Sequence, residues 1–173
     1  VKRLFITFCL LLACSGAYAY DLTLKDTPIS VYFSPKGGGQ QAIVDAIGQA
    51  RESVYVQAYS FTSAPIAKAL VDAAKRGVKV EVILDKSQRK ATYTGATFLR
   101  NEGIPVYIDA THAIAHNKVM VIDGQTVVTG SFNFTKAAEE KNAENLLIIK
   151  NKGLARLYLE NWERHQGHSD GNG

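Results

Sequence analysis

Apolar and polar positions along this chain alternate in two rhythms, and the changes between them mark out the elements. Residues 29–33, Ile-Ser-Val-Tyr-Phe, alternate with a period of two, and the run Ser34-Pro35-Lys36-Gly37-Gly38-Gly39 ends that strand. Residues 40–51 set Ile43, Val44 and Ile47 on one face at helical spacing. Residues 53–59 are β-branched and aromatic, which predicts a second strand. Ser63-Ala64-Pro65 opens the next helix, with Ser63 as cap and proline in the first turn. That helix turns Ile66, Leu70, Val71 and Ala74 inward and stops at Arg76-Gly77. Residues 78–84 form a third strand ending at Asp85. Strands alternating with helices of this length predict parallel strands joined by crossover helices.

The second half changes character. Residues 94–101 predict a short helix ending at Gly103, and residues 105–108 a short strand. Residues 118–122, Asp123-Gly124 and residues 126–129 predict a tight antiparallel hairpin, because Asp-Gly favours a two-residue turn. Residues 145–149 are another strand. Residues 154–164 are a closing helix with Leu157, Tyr158 and Trp162 as core contacts, and residues 167–173 a frayed tail. The fold class expected is α/β: one domain, residues 20–166, with a mixed β-sheet flanked by helices on both faces.

The N-terminus is set apart by composition. Lys2 and Arg3 precede an apolar run over residues 4–13, and Ala17-Tyr18-Ala19 fits a cleavage site, so residues 1–19 are expected to be a signal peptide. The apolar run is too short to span a bilayer. Export to the periplasm or beyond is the implied localisation, with lipidation at Cys14 as the alternative, since Leu11-Leu12-Ala13-Cys14 also fits a lipobox. Both cysteines, Cys9 and Cys14, fall within this leader, which leaves the mature chain without a thiol for disulfide, metal or nucleophile. The formal charge of +4 falls to +2 without Lys2 and Arg3. That permits a polyanionic substrate without arguing for one.

Candidate chemistry gathers around the hairpin. His116 and Lys118 share one face of an extended stretch, and Ser131 and Asn133 have the same i, i+2 relation on the returning segment. Neutral imidazole is a competent nucleophile towards phosphorus near neutral pH. An ammonium, a hydroxyl and an amide beside it can hold the oxygens of a five-coordinate transition state. Glu144, just before the strand at 145–149, is the expected partner for the second nitrogen of His116. Asp123 starts the turn at the far end of the strand from His116, five residues or roughly 17 Å beyond Lys118 at strand rise. It is expected to shape the turn and to form an ion pair. Lys86, Arg89 and Lys90, followed by Tyr93, form the densest basic cluster, suited to phosphates beside a stacking ring. Asp109, His112 and His116 stand at i, i+3 and i+7, a spacing that would hold a metal only on a helix. The stretch has little helical patterning, so no metal or other cofactor is expected.

The pattern His116-x-Lys118-x4-Asp123-x6-Gly130-Ser131-x-Asn133 resembles the signature of the phospholipase D superfamily at every position. In that superfamily a carboxylate some ten residues after the Gly-Ser element hydrogen-bonds the nucleophilic histidine, and Glu144 matches that place. Most members carry two copies of the motif, whose histidines face each other. This chain carries one copy, and so resembles the small, secreted, single-motif bacterial endonucleases of the superfamily. That resemblance implies metal-independent cleavage of DNA, with RNA as a further candidate substrate, through a phosphohistidine at a site shared by two subunits. The homodimer also follows from chemistry. In-line displacement needs a general acid opposite the nucleophile; a second copy of His116 across a two-fold axis supplies one, with His112 as the alternative. Two other readings stay open: a phospholipase D acting on phospholipid head groups, which the lack of a long apolar loop beside the motif weakens, and a non-catalytic exported nucleic-acid-binding component, against which the intact motif speaks.

Overall fold

The computed structural model describes residues 19–89 and 95–171. The leader up to residue 18, Lys90 and Tyr93 lie outside the described residues. Seven strands, β1 (Ile29–Phe33), β2 (Ser53–Ala58), β3 (Lys79–Asp85), β4 (Val106–Asp109), β5 (Lys118–Ile122), β6 (Thr126–Gly130) and β7 (Asn145–Lys150), form one sheet. Its order is β1-β7-β6-β5-β2-β3-β4. β2, β3 and β4 are parallel, whereas β5, β6, β7 and β1 add on antiparallel in turn. The helices are α1 (Gly39–Gly48), α2 (Ala64–Lys75), α3 (Gly95–Asn101), α4 (Lys136–Glu140) and α5 (Lys152–His168). This is the expected mixed sheet with helices on both faces.

Burial follows the pleat. Val54, Val56, Met120, Ile122, Val128, Leu146 and Ile148 face the main core, where Ile43 and Ile47 of α1, Ile66 and Leu70 of α2 and Leu99 of α3 meet them. Val119, Val121 and Val127 point to the other face, under Ala155, Tyr158 and Leu159 of α5. Trp162 anchors α5 from within this face: it is buried, lies 4.9 Å from the Tyr55 ring, and donates its Nε1–H to the Val56 carbonyl at 2.8 Å. Leu157 is only half-buried, since Ala155, Tyr158, Leu159 and Trp162 keep the i, i+3, i+4, i+7 stripe. Among the described residues no helix is long and apolar enough to cross a membrane.

Two local expectations are corrected. The chain end up to Gly171 is not a frayed tail: α5 continues to His168, and Asp170 exchanges two 3.0 Å backbone hydrogen bonds with Ile108 on the sheet edge. Glu139 lies on α4. Its carboxylate accepts the Gly38 and Gln40 N–H groups at 3.0 and 2.8 Å, so α4 caps the glycine-rich start of α1. Asp123 shapes the turn, with positive φ at Asp123 and Gly124, but makes no ion pair among the described residues. Its carboxylate instead accepts the N–H groups of Arg51, Glu52 and Ser53 at 2.8–3.2 Å, tying the entry of β2 to the hairpin. Burial opposes ionisation of Asp123, yet these backbone donors outweigh it and hold the carboxyl below its usual range.

Asp123→Asn is therefore expected to lower stability by about 1–2 kcal/mol at neutral pH, a loss of a few degrees in unfolding temperature. The folded-state pKa is the lower one, so the wild-type advantage is full above the unfolded value near ~4 and closes as pH falls through the folded value. Thermal melts of both proteins across that window check this, and a gap unchanged into strong acid would contradict it.

Candidate active site

The direction of the strands assembles the site. The hairpin runs antiparallel to β2, so the start of β5 and the end of β6 lie at the same rim as the carboxyl end of β2. The start of β7 lies there too, with Gly130 paired to Leu146. Lys118 pairs across from Ala58, and Tyr59 donates its N–H to the Asn117 carbonyl at 2.8 Å. His116, Lys118, Ser131, Asn133 and Glu144 thus come from segments that are remote in sequence but share one edge of the sheet.

Gly130 is required by close approach. Its φ is 142°, and a Cβ there would sit 2.3 Å from the Asn145 carbonyl oxygen. That carbonyl accepts both the Ser131 and Phe132 N–H groups, at 3.1 and 3.2 Å, which re-aims the chain after β6. Phe132 and Phe134 then bury into the core on either side of Asn133. The Asn133 side-chain oxygen is buried with no hydrogen-bond partner among the described residues.

Lys118 is 7% exposed, an unusual place for an ammonium. Its Nζ donates to the His116 carbonyl at 2.9 Å and lies 5.1 Å from the centre of the Tyr59 ring. Burial pushes its pKa below the usual lysine value, and the Glu144 carboxylate pulls in the opposite direction. The His116 ring is exposed and packs 4.7 Å from Tyr59. Tyr59 therefore touches both groups and was not singled out from sequence; its place just past the end of a parallel strand was the available signal.

Glu144 departs from expectation. Its carboxylate accepts from Ser131 Oγ at 2.6 Å and Asn142 Nδ2 at 3.0 Å, and no hydrogen bond joins it to the His116 imidazole among the described residues. The reason lies in the turn: Ser131 Oγ also accepts the Asn145 N–H at 3.1 Å, and Ser34 Oγ accepts the Glu144 N–H at 3.1 Å, which fixes the carboxylate over the Gly-Ser element. The loop carrying His116 is held instead by Asp85. This buried carboxylate accepts the Ala115 N–H at 2.8 Å and the Ser87 N–H at 2.8 Å. Burial opposes its ionisation, but these donors keep it below the usual carboxylate range.

The basic cluster is partly spent on the protein itself. Lys86 Nζ donates to the His112 carbonyl at 2.9 Å, and Arg89 is paired with Asp170; both side chains stay exposed. His112 sits elsewhere than beside His116: with His165 and His168 it surrounds the buried Asp109 at the end of β4. This group could hold a metal ion and was missed from sequence, where Asp109 and His112 were grouped with His116. The pair His165-x-x-His168, i and i+3 on one helix face, was the readable sign.

Against known proteins, the family described as cardiolipin synthase, PLD-like domain matches residues 43–166. The chain belongs to the phospholipase D superfamily. Over 139 residues it is 45% identical to a phospholipase D of Rickettsia conorii, covering 80% of this chain and 70% of that one. It is 33% identical over 116 residues to the mitochondrial cardiolipin hydrolase of Xenopus tropicalis, covering 67% and 55%. Among solved structures, the phospholipase D family member Nuc from Salmonella typhimurium superposes with a TM-score of 0.80 at 39% identity, over 85% of this chain and 99% of Nuc. NucT from Helicobacter pylori superposes with a TM-score of 0.78 at 26% identity, over 85% and 100%.

Lys118→Met tests the electrostatic account of the site. The buried ammonium is held in the fold against its desolvation, so below its folded pKa its charge opposes folding. The methionine variant should unfold at or above the wild-type temperature while losing phosphodiester cleavage. A clearly lower unfolding temperature would show that Lys118 is a structural cation.

Proposed function

We propose that this protein is an exported endonuclease that hydrolyses DNA phosphodiesters without a metal, through a phosphohistidine, at a site completed by a second copy of the chain. In this reading a ring nitrogen of His116 attacks phosphorus, forming an N–P bond as the P–O bond to the leaving nucleotide breaks. The leaving oxygen takes a proton from the second copy of His116, which then accepts a proton from the water that cleaves the N–P bond. Lys118, with Asn133 and the Ser131 hydroxyl, balances charge on the phosphoryl oxygens. Glu144 orients Ser131 and adds a compensating charge near Lys118.

The observation that carries the shared site is the distribution of imidazoles. The chain has four histidines, and three of them surround Asp109, so His116 has no second imidazole of its own chain to act as acid. Ile114, two residues before His116, is 58% exposed, an apolar group that a second copy would cover. Nuc and NucT match almost from end to end, which fits a small protein with a single motif.

A second reading is a phospholipase acting on lipid phosphodiesters, favoured by the names of the rickettsial and Xenopus relatives. Supercoiled plasmid and phospholipid vesicles separate the two. Nicking that persists in excess EDTA and disappears in His116→Ala is expected; release of lipid head groups without nicking would overturn the nuclease reading.

Assembly is tested by mixing. If both imidazoles act on one phosphate, equal amounts of wild type and His116→Ala after full exchange should retain active pairs in only about a quarter of dimers. Activity falling only in proportion to the wild-type chains present, with exchange demonstrated, would mean that each chain works alone.

A further inference from the structure

We propose that Asp109, His112, His165 and His168 form a binding site for one divalent transition-metal ion of the zinc type, separate from the phosphodiester site. Asp109 ends β4 and is fully buried, and His112 follows on the loop leading to His116. His165 and His168 come from the last turn of α5, which the Asp170–Ile108 backbone pairing holds against that strand. The three imidazoles turn a ring nitrogen towards one oxygen, Asp109 Oδ2: His165 Nδ1 at 2.8 Å, His112 Nδ1 at 2.9 Å and His168 Nε2 at 3.4 Å. All four donor atoms lie within 4.8 Å of one another.

Hydrogen bonding alone leaves this arrangement over-supplied. A carboxylate oxygen offers about two lone-pair sites, and three ring nitrogens converge on this one. The other oxygen is already used, since Oδ1 accepts the Thr111 N–H at 3.1 Å and the His112 N–H at 3.4 Å and lies 3.1 Å from His112 Nδ1. Those backbone donors fix the carboxylate, as a second layer of contacts does around bound metals. Four ligands at about 2.0–2.1 Å from a tetrahedral ion stand roughly 3.3 Å apart. The observed spacings reach that value with small side-chain movements. Imidazole nitrogens with one carboxylate and no thiolate suit zinc and its d-block neighbours rather than calcium or magnesium.

Such an ion would staple the chain end to the sheet and to the start of the loop that bears His116. It takes no part in bond breaking, so the inference is independent of the proposed activity.

The untagged full chain, stripped of metal by chelator and returned to chelator-free buffer, is titrated with Zn²⁺ in competition with a chromogenic chelator. One equivalent per chain is expected, with an unfolding temperature raised by the ion. His165→Ala/His168→Ala should bind at least about 100-fold more weakly and show no such rise, with its circular dichroism retained. Should that variant fail to fold, His112→Ala, which alters an exposed loop residue, provides the same comparison. Co²⁺ should give the visible bands of a four-coordinate site in wild type and in His116→Ala alike. Wild-type uptake no tighter than the variant's, or one-to-one binding that survives loss of the imidazoles, would overturn the site and leave a hydrogen-bonded cluster. Plasmid nicking at 25 °C in the same samples is a separate readout, so failure of the metal site and failure of the nuclease reading are distinguishable.

Discussion

The antiparallel pairing of β5 against β2 is the constraint on which the rest of the site depends. Three parallel strands alone would bring only their carboxyl ends to one rim, as in any open α/β sheet. Reversing direction at β5 brings the start of that strand to the same rim, and the hairpin returns the end of β6 beside it. A motif whose halves lie more than ten residues apart therefore closes into one patch. The two ends of the hairpin divide the labour: Asp123 fixes its far end to the entry of β2, and His116 and Lys118 occupy its near end. A slip of one residue in the β2–β5 register would turn Lys118 to the α5 face and Val119 to the main core.

Much of this was legible in sequence because it was written in period and in turn chemistry. The strand at β1, the apolar faces of α1 and α2, the Ser63 cap and the Asp-Gly turn all follow from local rules and stand where expected, although the alternating Ile29, Val31 and Phe33 of β1 face outward and only Tyr32 packs on the core. Side-chain pairing across elements was less legible. Glu139 reads as a surface helix charge until α4 is seen to lie against the start of α1. Leu157 and Leu159 are both half-buried, and only the direction of α5 across the sheet decides that Leu159 packs on the cluster of Val119, Val121 and Val127. The backbone contacts of Asp123 and Asp85 are silent in sequence for the same reason: their donors are N–H groups, which carry no residue identity.

The site itself was legible by residue type and misleading by partnership. His116, Lys118, Ser131, Asn133 and Glu144 do share one rim, but Glu144 is engaged by Ser131 and Asn142 rather than by His116. A carboxylate in that position tunes the patch in two ways without touching the imidazole. It fixes the hydroxyl of Ser131, and its charge offsets part of the cost of burying Lys118. Tyr59 completes the arrangement, with its ring against the imidazole and under the ammonium.

The four histidines divide between two places on one rim of the sheet. The carboxyl ends of β2, β3 and β4 lie side by side, with Asp85 paired in register with Asp109. Asp85 spends its carboxylate on the backbone N–H groups of Ser87, just after β3, and of Ala115, on the loop between β4 and β5, whereas Asp109 spends part of its carboxylate on imidazoles. The loop is consequently held at both ends, through Asp109 to residues 111 and 112 and through Asp85 to residue 115. His116 follows immediately and is exposed, with its ring against Tyr59. The nucleophile proposed at His116 would need this combination: a rigid main chain behind it and a ring that no internal carboxylate has claimed.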